Sequence, residues 1–362
     1  MKKLGISIYP NKSNVEKDLE YIQTANKYGF ERIFTCLLSV EGDQEKILSD
    51  FKKTISFAKE KNMEVICDIS PRIFDALDIS YSDLSFFADL GVDGIRLDMG
   101  FTGNEEAMMT YNPYGLSIEI NMSNSNKYLE NLLSYQPNLS KLIGCHNFYP
   151  HRYAGLSYDF FIECSRKFKQ QGLRTAAFVS SNDATFGPWP VVEGLPTVEM
   201  HRELPIDVQA KHLFATNVID DVIISNAYAS ESELQRLSQI NKEKITFDVD
   251  IVSTSSELEK NIILHEPHFY RGDVSDYMIR STQSRVKYRG HSFEVHHTPD
   301  IKRGDIIIES DLYEQYAGEL QIALKDMVNS GKSNVVGRIR EEEIFLIDYL
   351  KPWEKFAFTT SE

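Results

Sequence analysis

Short β-branched runs alternate with longer amphipathic stretches through the first 240 residues. A hydrophobic period that switches between two and about 3.6 is the signature of repeated βαβ units. The strand-like runs fall at residues 4–8, 32–38, 64–70, 93–98, 115–121, 142–148, 174–179 and 221–225. Between them lie amphipathic segments such as 15–28 and 44–61, and Gly29, Asn62, Gly91 and Gly172 stand where a helix would close in the left-handed conformation. Eight consecutive units predict closure into a (β/α)8 barrel rather than an open doubly wound sheet, so the fold class is α/β. The stretch 181–205, rich in Pro and Gly and carrying Trp189, breaks the rhythm. It predicts a long loop after the seventh strand, on the face where barrel enzymes carry their sites.

Beyond about residue 253 the helical alternation stops, and short alternating runs follow: YMIRST, RVKYRG, HSFEVHH, GDIIIES, VVGRIR and EIFLIDYL. They predict a mostly β second domain, a small barrel or sandwich, whose one helical pattern lies at 312–329. With 362 residues, a barrel of about 250 plus a second domain is the natural division. The expected boundaries are 1–252 and 253–362.

Composition adds exclusions. Hydrophobic residues make up 42% and charged residues 26%, as in an ordinary globular protein. The formal charge of −15 repels phosphate backbones and anionic membranes, so neither nucleic acid nor membrane is expected as a partner. No apolar run approaches the ~20 residues that span a bilayer. The opening MKKLGISIYP runs straight into a strand, so export is not expected. Cys36, Cys67, Cys145 and Cys164 lack CxxC spacing and read as reduced thiols of a cytoplasmic protein. Oligomeric state is not legible.

Strand parity sorts the polar residues, because side chains alternate between the helix side and the barrel side. In GIRLD, Arg96 and Asp98 share the barrel side, and in GLSIEIN the inward residues are Ser117, Glu119 and Asn121. Asp68 repeats the pattern on strand three, and Ser7 and Tyr9 do so on strand one. Asp98 and Glu119 are therefore the expected catalytic pair, two inward carboxylates on neighbouring strands about 4.8 Å apart. That spacing suits the ~5 to 9.5 Å used in glycoside hydrolysis, where one acid holds a proton and the other stays ionised. The alternative is a structural Arg96–Asp98 ion pair with Glu119 bonded to a loop. Asp68, close to Ser70–Pro71, reads either as a substrate-binding residue or as a loop acceptor.

The sixth strand ends in His146, Asn147, Phe148, Tyr149, Pro150, His151 and Arg152, a cluster suited to a polar ring bearing an anion. The segment 271–289 is locally basic, and within it Arg280, Ser281, Thr282 and Arg285 offer an anion site. The pairs His265/His268 and His296/His297 have no matching carboxylate motif, so no metal is expected, and without a P-loop or GxGxxG no nucleotide cofactor is expected either.

The segments GISIYP, GIRLDMGF, SIEINMSN, HNFYPHRYAGL and RGDVSDYMIRSTQSR resemble a bacterial family of two-domain proteins, a barrel followed by a cyclophilin-like domain, that includes the cytoplasmic 6-phospho-N-acetylmuramidases. The resemblance implies hydrolysis of the β-1,4 bond between N-acetylmuramic acid 6-phosphate and N-acetylglucosamine during recycling of cell-wall fragments. The substrate implied is a phosphorylated amino-sugar disaccharide. Its phosphate and lactyl carboxylate would account for Arg152, Arg280 and Arg285, with Asp68, Asn121, His146, Asn147 and Tyr149 around the sugar. Two rivals are a sugar-phosphate isomerase or aldolase, disfavoured by the lack of a strand-end lysine or metal cluster, and a non-catalytic sugar-phosphate sensor.

Overall fold

The computed structural model describes residues 2–10, 12–37, 44–69, 73–74, 77, 79–191 and 193–360. The chain divides into two units, Met1–Gln239 and Ile240–Glu362.

In the first unit eight parallel strands close a barrel in sequence order: β1 Lys3–Ile8, β2 Arg32–Leu37, β3 Glu64–Ile69, β4 Gly94–Leu97, β5 Ser117–Asn121, β6 Leu142–Cys145, β7 Arg174–Val179 and β8 Asp221–Ile224. The β1–β8 pairing, with Lys3 opposite Asp221, completes the ring. The expected strands are all present, some shorter at one end, and Leu38 and Ser70 lie outside the described residues.

The helices form where the amphipathic stretches predict them. The helix Val15–Lys27 starts at Asn14, whose side chain accepts from the Lys17 amide and satisfies one of the free first-turn donors. Val15, Tyr21, Ile22 and Ala25 form its buried face. Gly29, Asn62, Gly91 and Gly172 all have positive φ (76°, 57°, 93° and 72°), as the helix-closing role requires. Glycine inside β4 has a different cause: a Cβ on Gly94 would meet Ser117 O at 2.7 Å and Ile66 Cδ1 at 2.8 Å in the barrel interior.

The barrel is filled in layers. In its lower half a chain of charges runs inward: Lys3–Glu64 (3.0 Å), Glu64–Arg174 (2.8 Å), Arg174–Asp221 (2.6 Å), Asp221–Arg32 (2.5 Å) and finally Arg32–Glu119. Burial works against the Glu64 carboxylate, but Arg174 and Arg32 hold it down to about 2. Near β2 and β7 an aromatic triangle of Phe34, Phe148 and Phe178 packs edge to face, with ring centroids 5.0 to 5.9 Å apart. All four cysteines are buried and free. Among the described residues no helix is long and apolar enough to cross a membrane.

The second unit is a seven-stranded mixed sheet. Its strands are β9 Ile245–Ile251, β10 His268–Phe269, β11 Met278–Ser281, β12 Asp305–Glu309, β13 Leu320–Ala323, β14 Ser333–Ile339 and β15 Lys355–Thr359. Their order is β10-β15-β9-β14-β12-β13-β11, and only β15–β9 is parallel.

Several expectations for this unit are corrected. The division falls at 239/240 rather than 252/253, because Ile245–Ile251 pairs with β14 and β15 in the second sheet. Residues 312–329 are not a helix: a short 3₁₀ turn at Asp311–Tyr316 is followed by Gly318 at φ 81° and then by β13. The α-helices of this unit among the described residues are Glu257–His265, begun by a Ser256–Glu259 capping box, and Gln283–Lys287, which takes the first half of the run RVKYRG. HSFEVHH forms no strand, and all of EIFLIDYL but its last residue lies within a 3₁₀ segment, Glu341–Tyr349.

Candidate active site

The strand ends of β3 to β6 carry a connected set of polar groups around Arg96. This guanidinium is 3% exposed, and its Nη1 donates to Asp68 Oδ1 at 2.7 Å and to Asp98 Oδ1 at 3.3 Å. Its Nη2 reaches Asp98 Oδ1 at 3.3 Å and donates to Asn147 Oδ1. Asn121 Nδ2 stands 3.4 Å from the same Asp98 oxygen, and its own Oδ1 accepts from the Ser123 amide at 2.8 Å. Ser123 Oγ in turn accepts from the Asn147 amide at 2.8 Å. The circuit thus runs Asp68, Arg96, Asp98, Asn121, Ser123, Asn147 and back to Arg96.

The two acids on Arg96 differ in setting. The Asp68 side chain is 9% exposed and the Asp98 side chain 46%. Burial pushes the Asp68 carboxyl up to about 6; Arg96 pulls the other way, and the nearby Asp98 and Glu119 add to the rise. The protein therefore presents a sheltered carboxyl whose proton affinity is raised beside a wet one. Cys36 Sγ lies 3.8 Å from Asp68 Oδ2. Ser70 and Pro71 lie outside the described residues.

Glu119 does not belong to this circuit. Its inward parity is right, but the β4–β5 register sets it opposite Arg96 and leaves Asn121 as the residue beyond. It is fully buried and ion-paired to Arg32, whose other arm holds Asp221. Enclosed and paired in this way, Glu119 is set apart from the exposed Asp98 with which it was expected to pair.

His146 is also corrected. It is fully buried, its Nδ1 is 3.0 Å from Ser123 Oγ and its Nε2 2.9 Å from Ser165 Oγ, and its ring packs on Phe161 at 4.7 Å. Burial, with help from Arg96, lowers it to about 3, so the ring is neutral and fixes Ser123 rather than touching a ligand. Tyr149 is partly buried, and burial raises its hydroxyl above the usual range while Ser123 lowers it. Arg152 lies on the loop beyond, 2.7 Å from Glu203 and 3.9 Å from Glu193.

That loop is braced by residues the sequence did not single out. Arg202 donates to the carbonyls of Tyr149 and His151, each at 3.1 Å, and pairs with Glu199 at 2.6 Å. Glu199 accepts from the amides of Tyr153 and Gly155, both at 2.7 Å. Arg32 and Asp221 were missed as well; a charge inside an otherwise apolar strand run was the available signal. Ser7 and Tyr9 spend their hydroxyls on the backbone of Ile224 and Ser225, at 2.7 and 2.5 Å.

In the second unit Arg280 is paired with Asp273, and Arg285 Nη1 stands 3.2 Å from Glu319. Ser281 is 1% exposed and bonded to His268 Nδ1 at 3.1 Å, while Thr282 immediately precedes the helix Gln283–Lys287. The expected anion site is corrected to this extent: both arginines already face carboxylates and Ser281 is sealed.

The fold and the polar circuit at its strand ends define a (β/α)8-barrel protein with a second, mixed-sheet domain. The chain belongs to the 6-phospho-N-acetylmuramidase family: the N-terminal model of that family matches residues 4–239 and the C-terminal model residues 245–359. It is similar to the crystal structure of an uncharacterized B. cereus protein, at 52% identity over 99% of both chains with a TM-score of 0.92. A conserved protein of unknown function from Enterococcus faecalis is similar over 99% of this chain and 96% of its own, at 26% identity and a TM-score of 0.74. No curated protein matches the chain.

Proposed function

We propose that the chain is a glycoside hydrolase that cleaves the β-1,4 bond between N-acetylmuramic acid 6-phosphate and N-acetylglucosamine, with Asp68 and Asp98 as the reacting acids. The family membership supplies the substrate class. The observation that carries the assignment is one guanidinium holding two carboxylates of opposite exposure. Paired acids whose surroundings push their proton affinities apart are the usual basis of acid and nucleophile roles.

Asp68, sheltered and with its proton affinity raised, donates in its protonated form to the glycosidic oxygen as its bond to the anomeric carbon breaks, and N-acetylglucosamine leaves. Asp98, the exposed acid, attacks the anomeric carbon through a carboxylate oxygen. Water then displaces Asp98 and returns a proton to Asp68. Arg96 binds one oxygen of each acid, so these two oxygens lie no more than about 6 Å apart, the sum of their distances to Nη1. Such a limit is nearer the ~5 to 5.5 Å of retaining enzymes than the ~6.5 to 9.5 Å of inverting ones. Asn121, Asn147 and Tyr149 supply neutral hydrogen-bonding groups for the sugar hydroxyls and acetamide.

For the phosphate we propose Arg152. Its partners Glu203 and Glu193 are themselves 71% and 44% exposed. Such surface pairs are worth ~0 to 1 kcal/mol, so a dianionic phosphate displaces them readily. We place the reaction in the cytoplasm, within cell-wall recycling, on the family likeness and the four free thiols.

The test is incubation of the protein with the phosphorylated disaccharide while proton NMR follows the anomeric signals. Two free sugars are expected, with the muramic acid 6-phosphate appearing first as the β anomer. An intact disaccharide, or an α anomer formed first, would overturn the hydrolytic or the retaining part of the proposal respectively.

A further inference from the structure

Among the described residues of the second unit, every buried side-chain polar atom without a hydrogen-bond partner lies in one place: Arg280 Nε, Thr282 Oγ1, Glu319 Oε2 and Gln321 Oε1. The strand register explains the grouping. β11 and β13 are antiparallel, with Arg280 opposite Gln321 and Ser281 opposite Leu320. The next pair along is therefore Thr282 and Glu319. Alternation puts residues 280, 282, 319 and 321 on one face as two adjacent cross-strand pairs. Ser281, of opposite parity, is bonded to His268.

Buried polar atoms are almost always paired; Glu319 Oε2 at least faces Arg285 Nη1 at 3.2 Å, and the other three neighbouring exceptions call for a missing group. Two of these side chains are deeply buried, Glu319 at 0% and Gln321 at 4% exposure. Thr282 stands at the N-cap of the helix Gln283–Lys287, yet its side chain makes no capping bond. Its hydroxyl is not committed to the helix.

The charge balance of this block argues against a phosphate. Arg280 Nη2 is taken by Asp273, and Arg285 lies 3.2 Å from Glu319 with its guanidinium over the Tyr316 ring at 5.1 Å. Glu309 stands beside them, bonded to Ser333 Oγ at 2.7 Å. With each arginine already facing a carboxylate, what remains open is one N–H donor, one hydroxyl and the Gln321 amide oxygen. A group presenting a carbonyl oxygen next to an N–H matches that set.

We propose that this face of the second unit binds a secondary amide, the carbonyl oxygen accepting from Arg280 Nε and Thr282 Oγ1 and the N–H donating to Gln321 Oε1. Such an amide occurs as the acetamido group of an amino sugar and as the peptide bond. The proposal does not depend on the chemistry proposed for the barrel.

The test uses the full chain, titrated with N-acetylglucosamine, N-acetylalanine methylamide, glucose and inorganic phosphate, and read by saturation-transfer NMR and calorimetry. At least one amide probe is expected to bind saturably, and which one identifies the source. Thr282→Val, a near-isosteric change, is expected to weaken that binding about 5- to 10-fold, the loss of one hydrogen bond. Gln321→Leu is expected to do the same. Asp98→Asn leaves this affinity unchanged, which separates the site from any sugar bound at the barrel. The proposal is overturned if no amide probe is sensitive to Thr282→Val, or if glucose or phosphate binds with the same sensitivity.

Discussion

The Arg32–Glu119–Asp221 cluster in the lower half of the barrel and the Asp68–Arg96–Asp98 cluster at the strand ends use the same residue types on the same inward face. They differ in closure. In the lower cluster every member is fully buried, and Arg32 is shared between two carboxylates that no solvent reaches. In the upper one Arg96 is shared between a sheltered acid and a wet one. Acid–arginine pairing alone therefore says little about role. What separates a structural cluster from a reactive one is whether one charge remains accessible while its partner's proton affinity is raised.

The largest expected effect tests that distinction. Asp98→Asn removes the accessible charge, and turnover of the phosphorylated disaccharide is expected to fall about 10³-fold, within the ~10² to 10⁴ range of a positioned acid or base. Because Asp98 is half exposed, thermal unfolding should change little. Near-normal turnover in this variant would remove Asp98 from the chemistry.

Glu119→Gln should behave in the opposite way. It leaves Arg32 buried with one ionic partner where there were two, and breaking a buried pair costs about 3 to 5 kcal/mol. For a unit of this size that is a fall in melting temperature of roughly 6 to 20 °C. Turnover per folded molecule should stay within a few-fold of wild type. A stable but inactive Glu119→Gln protein would reverse the roles of the two clusters.

Asp68 links stability to pH in a direction opposite to that of an ordinary ion-paired carboxylate. Its folded value of about 6 lies above the unfolded value near 3.9. Its stabilising contribution is therefore present in full below about pH 3.9 and is lost as pH rises through about 6. At pH 7 the ionised, buried group costs about 2 to 3 kcal/mol. Asp68→Asn is expected to raise the melting temperature at pH 7, with the gain shrinking toward pH 4, while abolishing most turnover. In the wild-type protein kcat/KM should decline as pH rises through about 6, because the donor loses its proton. A melting temperature lowered by Asp68→Asn at pH 7 but not at pH 4 would place Asp68 with the ordinary ion pairs.

The barrel was legible in advance because its strands and helices follow their own hydrophobic periods, and parity placed Arg96, Asp98, Glu119 and Asn121 on the inner side. Depth was not legible. Parity has a period of two and cannot distinguish Glu119 from Asn121, whereas the register that puts Glu119 level with Arg96 is a property of paired strands. Nor did the sequence give Arg32 as the partner of Glu119, since the two are far apart along the chain. His146 looked like a donor beside its polar neighbours, and only its two serine partners and Phe161 reveal it as scaffold. In the second unit the helical pattern at 312–329 failed because Gly318 and the pairing of β13 with β11 and β12 override a local preference.

Arg152 gives the smallest effect and the finest division between binding and chemistry. It lies on the loop held by Arg202 and Glu199, and both of its own partners are surface glutamates. Removing it by Arg152→Ala leaves the Asp68–Arg96–Asp98 geometry intact, so kcat should be nearly unchanged. A charge-assisted contact to phosphate is worth about 1.5 to 3 kcal/mol, but displacing Glu203 and Glu193 offsets part of it. KM for the phosphorylated disaccharide should then rise about tenfold. The same change should have no effect on a disaccharide lacking the phosphate, whose KM should already be high. A drop in kcat with KM unchanged would show that Arg152 acts on the reacting centre, and an equal rise in KM for both sugars would assign it to the loop's shape rather than to the phosphate.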